Sequence, residues 1–221
     1  MIERFSTPSY ALGLLGLAMA VIPLNDALIK IMSASISLGQ VVAVRALLSL
    51  ILVMLVSDGL RAMLKLSAPV FWQFVGRAMC LVVAMLLFFV SLGSLPLANV
   101  IAIFFVAPMI ITLLSVPFLG EKIGVHRLAS VTAGMIGVLV IIQPGGAEFQ
   151  KENLLVIGAA VSYALFQIWT RRLKADGSLS AMVAVQHFCY FVVGALMMAA
   201  NVIWPVPPTG NATLDFLMRG P

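Results

Sequence analysis

Charged side chains are scarce in this sequence. Only 10% of its 221 residues are Asp, Glu, Lys or Arg, compared with roughly 25% in an average soluble domain. A soluble fold of this size could not cover its surface with so few charges, so that class is excluded. In their place, 62% of the residues are hydrophobic. They recur in runs of about 20, each long enough to cross a hydrocarbon core. The sequence therefore predicts a membrane protein whose surroundings are the lipid bilayer.

Residues that support catalysis or cofactor binding are equally rare. The chain has two histidines and two cysteines. It lacks an HExxH or GxSxG motif, paired aspartates on facing spans and a glycine-rich phosphate loop. Cys80 and Cys189 lie within apolar runs, with no His or Cys at ligand spacing, which is typical of small core residues. We therefore predict that the protein is not an enzyme and binds no metal or cofactor.

The basic residues predict an orientation and no nucleic-acid partner. The net charge is +5, but the basic side chains are scattered between the hydrophobic runs and form no long cluster. With a cytoplasmic amino terminus, nine of them lie in or beside cytoplasmic loops and three lie outside, and Arg45 falls within a span. The nine are Arg4, Arg61, Lys65, Arg77, Lys122, Arg127, Arg171, Arg172 and Lys174, and the three are Lys30, Lys151 and Arg219. The positive-inside rule favours this orientation.

Seven hydrophobic spans are expected. They lie at about 8 to 31, 38 to 57, 68 to 92, 97 to 119, 124 to 143, 154 to 170 and 179 to 204. Helices are the expected form, because stretch 47–56 is apolar at every position but Ser49, whereas a membrane β-strand would alternate. Short links at Ser94–Pro96 and Pro144–Gly146 favour antiparallel neighbours. The predicted fold class is an all-α membrane protein, a polytopic transmembrane helix bundle.

An internal repeat predicts two domains. Residues 37–44 reappear at 178–185, a shift of 141 positions, with five of eight residues identical. A unit of five spans inverts when it is repeated, as in many secondary transporters. The first five-helix repeat is placed at 1–146 and a partial second repeat at 147–221. Phe216–Arg219 matches the start of the third span, and a complete second copy would extend to about residue 285. We therefore expect a fragment of a longer bundle.

Several short motifs, in order and at consistent spacing, resemble the drug/metabolite transporter superfamily in its ten-span form with two EamA-type domains. They are Asn25–Lys30, Arg45, Gly76–Arg77, Pro96–Asn99, Ala107–Pro108, Gly120–Lys122 and Gly134–Gly137 before Pro144. Within that superfamily the chain is most similar to bacterial S-adenosylmethionine uptake carriers.

The resemblance implies secondary active transport by alternating access across the bacterial inner membrane. Its substrate would be a small metabolite, such as an amino acid or a nucleoside-like or drug-like compound. Coupling to protons or a counter-substrate is implied. The resemblance leaves open whether the protein forms a homodimer. The alternative is a non-transporting membrane scaffold or an inactive fragment of such a carrier.

Charged residues in the first two spans are candidates for the functional site. Asp26 and Lys30 lie four apart and share a helix face. They either pair with each other, or Asp26 faces a cavity as a proton or cation site. Arg45 is expected at a similar depth on the neighbouring antiparallel helix. There it either pairs with Asp26 or extends to the outer headgroups.

Prolines and polar residues complete the set of candidates. Pro23 and Pro108 each remove a helix hydrogen bond, and such kinks either line transporter sites or are purely structural. Gln167 and Gln186 occupy the repeat positions of Asp26 and Arg45, and His187 is either a neutral histidine bonded to a neighbouring helix or a proton relay. The candidates for substrate binding or coupling are Asn25, Asp26, Lys30, Arg45, Asn99, Phe105, Pro108, Gln167, Gln186 and His187.

Charged residues near the cytoplasmic ends are assigned structural roles. Glu121 is expected to pair with Lys122 or Arg127. Arg77 and the cluster of Arg171, Arg172 and Lys174 are expected to anchor the chain to lipid headgroups.

Overall fold

The computed structural model describes residues 8–33, 35–142, 150–173, 178–204, 210 and 212–218. This part of the chain is built from helices and contains no strand, which confirms the predicted fold class. The helices are α1 (Pro8–Met32), α2 (Leu38–Val56), α3 (Gly59–Leu64), α4 (Ala68–Ser94), α5 (Leu97–Phe104), α6 (Ala107–Leu119), α7 (Val125–Ile142), α8 (Asn153–Leu173), α9 (Leu179–Ile203) and α10 (Ala212–Met218). The predicted link at Pro144–Gly146 and residues Arg4, Lys174 and Arg219 lie outside these ranges.

The helices coincide with the predicted spans to within a few residues. Five segments are long and apolar enough to cross a membrane: α2, α4, the pair α5–α6, α8 and α9. Together they make the protein a multi-pass membrane protein. α1 and α7 lie on the remaining two predicted spans. The short helices α3 and α10 were not predicted, although α10 lies where the repeat places the start of another span.

The fourth span is broken into two helices, as its proline suggests. α5 ends at Phe104 and α6 begins at Ala107, with Pro108 in its first turn. A proline has no backbone N–H to donate to the carbonyl four positions earlier, here that of Phe104. α6 then ends at Gly120, whose φ of 68° is the left-handed conformation that glycine adopts most easily.

Helix ends elsewhere are set by local hydrogen bonds. Ser37 and Gln40 form a reciprocal capping box at the start of α2. There the Ser37 hydroxyl accepts from the Gln40 N–H, and the Gln40 side chain accepts from the Ser37 N–H. This cap fixes where the chain turns back into the membrane after α1.

The centre of the bundle is the antiparallel contact between α2 and α9, the two helices that the sequence repeat relates. Two glycines allow close approach. A Cβ on Gly194 would lie 2.5 Å from the backbone nitrogen of Ala43, and one on Gly39 would lie 2.9 Å from Cβ of Met197. Small residues let membrane helices bring their backbones together in this way. The two-domain organisation itself stays a prediction.

The second close contact joins α4 to α8 and corrects the expectation for Arg77. This residue is only 4% exposed, so it does not reach lipid headgroups. Its Nε donates to Oγ1 of Thr170 at 2.6 Å, and its guanidinium lies over the Phe166 ring, 4.3 Å from the centroid. A cation within about 6 Å of a ring face is attracted to the ring. Arg77 therefore holds two helices together inside the bundle.

Glu121 contacts a residue that was not among its predicted partners. Its Oε1 lies 3.4 Å from Nη1 of Arg171, which joins the end of α6 to the end of α8. Both side chains are partly exposed, and pairs of this kind contribute little to stability. Arg171 is therefore engaged within the protein, where a headgroup contact was expected.

Candidate functional site

A cavity of about 840 Å³ lies between the helices, close to their mid-length. Seven helices, α1, α2, α4, α5, α6, α8 and α9, contribute to its wall. The lining residues are Pro23, Asp26, Val42, Arg45, Ala46, Ser49, Leu81, Ala84, Met85, Phe88, Phe89, Ile101, Phe104, Phe105, Ala107, Pro108, Tyr163, Gln186, His187 and Tyr190. A volume of this size suits a small organic molecule.

Aromatic rings form much of one wall. Phe88 on α4 meets Phe104 on α5 edge to face, with centroids 5.2 Å apart and planes at 77°. Phe104 in turn meets Tyr163 on α8 at 5.5 Å. Such edge-to-face pairs are favourable because the positive rim of one ring points at the negative face of the other. The result is a rigid apolar wall that suits a flat ring.

Asp26 supplies a carboxylate to the cavity wall. It lies on α1 one turn after Pro23, and both line the cavity. The Asn25 amide Nδ2 donates to Oδ1 of Asp26 at 3.3 Å. A carboxylate is costly to place within a membrane span, so it normally has a partner, water or a functional role. Asp26 is partly buried and faces the cavity.

Arg45 lines the cavity from α2. Its guanidinium carbon is 5.9 Å from the centroid of Phe89 on α4. It is within electrostatic range of Asp26, yet these two residues form no direct ion pair. The buried pair with Asp26, one of the two alternatives, is therefore not present, and Arg45 lines the cavity.

Lys30 is placed outside the cavity, which corrects its assignment to the cavity wall. Its Nζ donates to the backbone carbonyl oxygens of Leu92 and, at 3.0 Å, of Leu95. Both carbonyls belong to the end of α4, where helix carbonyls have no partner within the helix. Because the lysine caps α4, it forms no pair with Asp26.

α9 contributes three polar side chains to the cavity wall. His187 Nδ1 lies 2.9 Å from the Val183 carbonyl on the same helix, so the predicted bond to a neighbouring helix is absent. In the neutral ring Nδ1 then carries the proton, because a carbonyl only accepts, and Nε2 is an acceptor. Tyr190 donates from its hydroxyl to the Leu81 carbonyl at 3.2 Å. Gln186 lines the same wall.

The structure brings six of the ten candidates together: Asp26, Arg45, Phe105, Pro108, Gln186 and His187. Asn25 and Gln167 do not line the cavity but contact residues that do. Asn25 bonds Asp26, and Gln167 donates to the Tyr163 hydroxyl at 2.8 Å. Asn99 was expected in a cavity wall, but it is exposed in the first turn of α5, whose wall residues begin with Ile101.

Sequence reasoning missed the aromatic wall and the two tyrosines. Phe88, Phe89 and Phe104 lie in uniformly apolar runs, where no pattern separates a ring facing lipid from one facing a cavity. Tyr163 and Tyr190 did carry a signal, because a hydroxyl within a span needs a polar partner and so faces the protein interior.

The chain is similar in sequence to known transporters. The EamA-like transporter family matches residues 9–143. The chain is 31% identical over 141 residues to a riboflavin transporter of Brucella anthropi, covering 62% of this chain and 49% of that protein. It is 27% identical over 157 residues to the S-adenosylmethionine uptake transporter of Rickettsia prowazekii, covering 70% and 51%.

A third relative is the riboflavin transporter of Vibrio cholerae, 28% identical over 112 residues, which cover 51% of this chain and 37% of that protein. The chain spans about half the length of the curated relatives it matches. No solved structure matches. The similarity confirms the resemblance carried by the short motifs, and since the family match covers more than half of the chain, the protein belongs to the EamA-like transporter family.

Proposed function

We propose that the protein is a secondary active transporter that moves a small metabolite across the bacterial inner membrane by alternating access. The observation that carries this proposal is the central cavity, which combines an aromatic wall with Asp26 and Arg45. Substrate sites of secondary transporters lie near the bilayer midplane. A cavity close to the mid-length of the helices fits that role.

The lining favours a metabolite with a flat ring and polar substituents, so nucleoside-like compounds are the first class to test. Rings stack on Phe88 and Phe104, and Gln186 and His187 offer hydrogen bonds to the edge of such a ring. The named relatives transport riboflavin or S-adenosylmethionine. Their names support a metabolite substrate without assigning one to this chain.

Asp26 is proposed as the coupling residue. It is the one carboxylate among the cavity-lining residues that the structure describes, and Arg45 lies within electrostatic range of it. A carboxylate in a span can bind a proton or a cationic counter-substrate, and its charge then changes the attraction to Arg45. Such a change links ion binding to the relative position of α1 and α2.

The test is uptake of labelled nucleosides, amino acids and flavins into vesicles containing the full chain. We expect Asp26→Asn to abolish uptake driven by a proton gradient, and Arg45→Gln to reduce it by at least about tenfold, the effect of losing one charge-assisted interaction. Arg61→Gln is the matched control, because Arg61 is 83% exposed at the start of α3. Unchanged uptake in both cavity variants would contradict the proposal, and absence of uptake by the folded native chain would favour a scaffold.

A further inference from the structure

Arg77 is a buried cation with no carboxylate partner among the residues that the structure describes. It is 4% exposed, its Nε is bonded to Thr170, and its Nη1 is buried with no hydrogen-bond partner. Among the described helices no carboxylate lies within ion-pair distance of it. A buried charge without a counter-ion is costly, and so is an unpaired buried donor. The arrangement suits a site whose anion is present only for part of the transport cycle.

The position of Arg77 relates it to the cavity on three helices. On α4 it precedes Leu81 of the cavity wall by four residues, about one helical turn. On α8 it stacks on Phe166, three residues beyond Tyr163 of the wall. On α9 Tyr190 lines the cavity and lies within electrostatic range of both Arg45 and Arg77. Arg77 therefore lies one helical turn from Leu81 of the cavity wall, the residue whose carbonyl accepts from the Tyr190 hydroxyl.

Tyr190 and Leu81 both line the cavity, and the Tyr190 hydroxyl donates to the Leu81 carbonyl at 3.2 Å. Rotation of the tyrosine side chain would break that bond and move a ring that is buried beside His187. Tyr190 lies within electrostatic range of both Arg45 and Arg77, so both cations are near the same side chain of the cavity wall. A guanidinium binds carboxylate or phosphate oxygens strongly, since its N–H groups match their spacing.

We infer that Arg77 is a second binding site in the transport path, for the carboxylate or phosphate group of the metabolite, and that Tyr190 separates it from the cavity. The inference rests on the proposed function, because the metabolite must first occupy the cavity. It adds a substrate class, namely ring compounds that carry an oxyanion.

Trp169 offers a reporter next to this site. Its ring lies 2.8 Å from where a Cβ on Gly76, the neighbour of Arg77, would be. The other two tryptophans, Trp72 and Trp204, are 67% and 73% exposed and can be replaced by phenylalanine. The full chain with these two changes is purified in a phosphate-free maltoside detergent. Trp169 emission is then followed during titration with benzoate and with benzamide, which has the same ring and no charge.

We expect benzoate to bind more tightly than benzamide. Arg77→Gln should weaken benzoate binding by about tenfold and leave benzamide unchanged, whereas Arg77→Lys should retain part of the preference. Arg172→Gln is the matched control, because Arg172 is an exposed arginine on α8. Benzoate affinity that is the same with and without Arg77 would overturn the inference. Transport is measured separately. If benzoate affinity does not depend on Arg77 but uptake is intact, the second site is contradicted and the proposed transport function still stands.

A second variant covers the case in which Arg77→Gln does not fold, as judged by gel filtration. Thr170→Val keeps the shape of the side chain and removes the oxygen that accepts from Arg77 Nε. This frees another guanidinium donor, so we expect benzoate to bind about threefold more tightly. Unchanged or weaker binding would count against the site. Loss of the benzoate response on adding phosphatidylglycerol would assign the site to a lipid phosphate, and so would also overturn the inference.

Discussion

Placing a charged side chain within a membrane span costs free energy, and the three charged residues of the first two spans are accommodated in different ways. The Lys30 ammonium donates hydrogen bonds to the carbonyls of Leu92 and Leu95 at the end of α4. Asp26 and Arg45 face a common cavity without a direct contact. Residues that are neighbours in sequence thus have different roles: the lysine is satisfied by the protein itself, whereas the cavity residues are available to a ligand.

The role of Lys30 gives a prediction about stability. Lys30→Met keeps the apolar stem and removes both hydrogen bonds to the end of α4, so we expect a loss of about 2 kcal/mol and a lower melting temperature. Lys65→Met is the matched control, since Lys65 is exposed after α3. The measurement is thermal unfolding in detergent. Equal melting temperatures for the two variants would show that Lys30 does not stabilise α4.

The sequence identified some of these residues but not their partners. Asp26, Arg45, Gln186 and His187 were found because polar groups are rare in apolar spans, and all four line the cavity. Arg77 was assigned to the headgroups because a basic residue near a span end normally lies there. Its burial depends on Thr170 and Phe166, which lie more than 80 positions away and leave no local pattern.

Helices were predicted more reliably than their packing. Their limits follow from the length of apolar runs and from local signals such as the Ser37–Gln40 cap and Gly120. Which face of α2 meets α9 does not follow from those runs, since nearly every position of α2 is apolar. The close contact is marked by Gly39 and Gly194, two small residues whose role became evident only from their neighbours.

The α2–α9 contact predicts opposite effects for two glycine substitutions. Gly194→Ala places a methyl group against the backbone of Ala43 and should destabilise the bundle by about 1–3 kcal/mol, as overpacking does. Gly137→Ala on α7 meets nothing within 4 Å and should raise stability slightly, because alanine favours helix more than glycine. Thermal unfolding of both variants is the measurement. A stable Gly194→Ala protein would contradict the proposed close approach.

For the molecule as a whole, the distribution of basic residues predicts a cytoplasmic amino terminus. The α1–α2 connection would then face outward and the α2–α3 connection inward. In a background with Cys80→Ala and Cys189→Ala, a membrane-impermeant maleimide applied to intact cells should label Ser35→Cys and leave Asp58→Cys unlabelled. Both positions are exposed, which makes them comparable. Labelling with the reverse preference would invert the orientation.

The cavity is the property of the whole bundle that the sequence could not provide. Its existence requires seven helices to leave space between them, and its aromatic wall joins residues from α4, α5 and α8. The internal repeat and the family motifs pointed to a central polar site, but not to its size or composition.

The most direct test of the central claim is to fill this cavity. Ser49 lines it from α2, whereas Leu52, on the same helix, is 59% exposed. We expect Ser49→Trp to abolish uptake of every transported metabolite without lowering the melting temperature, and Leu52→Trp to leave uptake unchanged. Full uptake by a correctly folded Ser49→Trp protein would contradict the claim that substrate passes through the cavity.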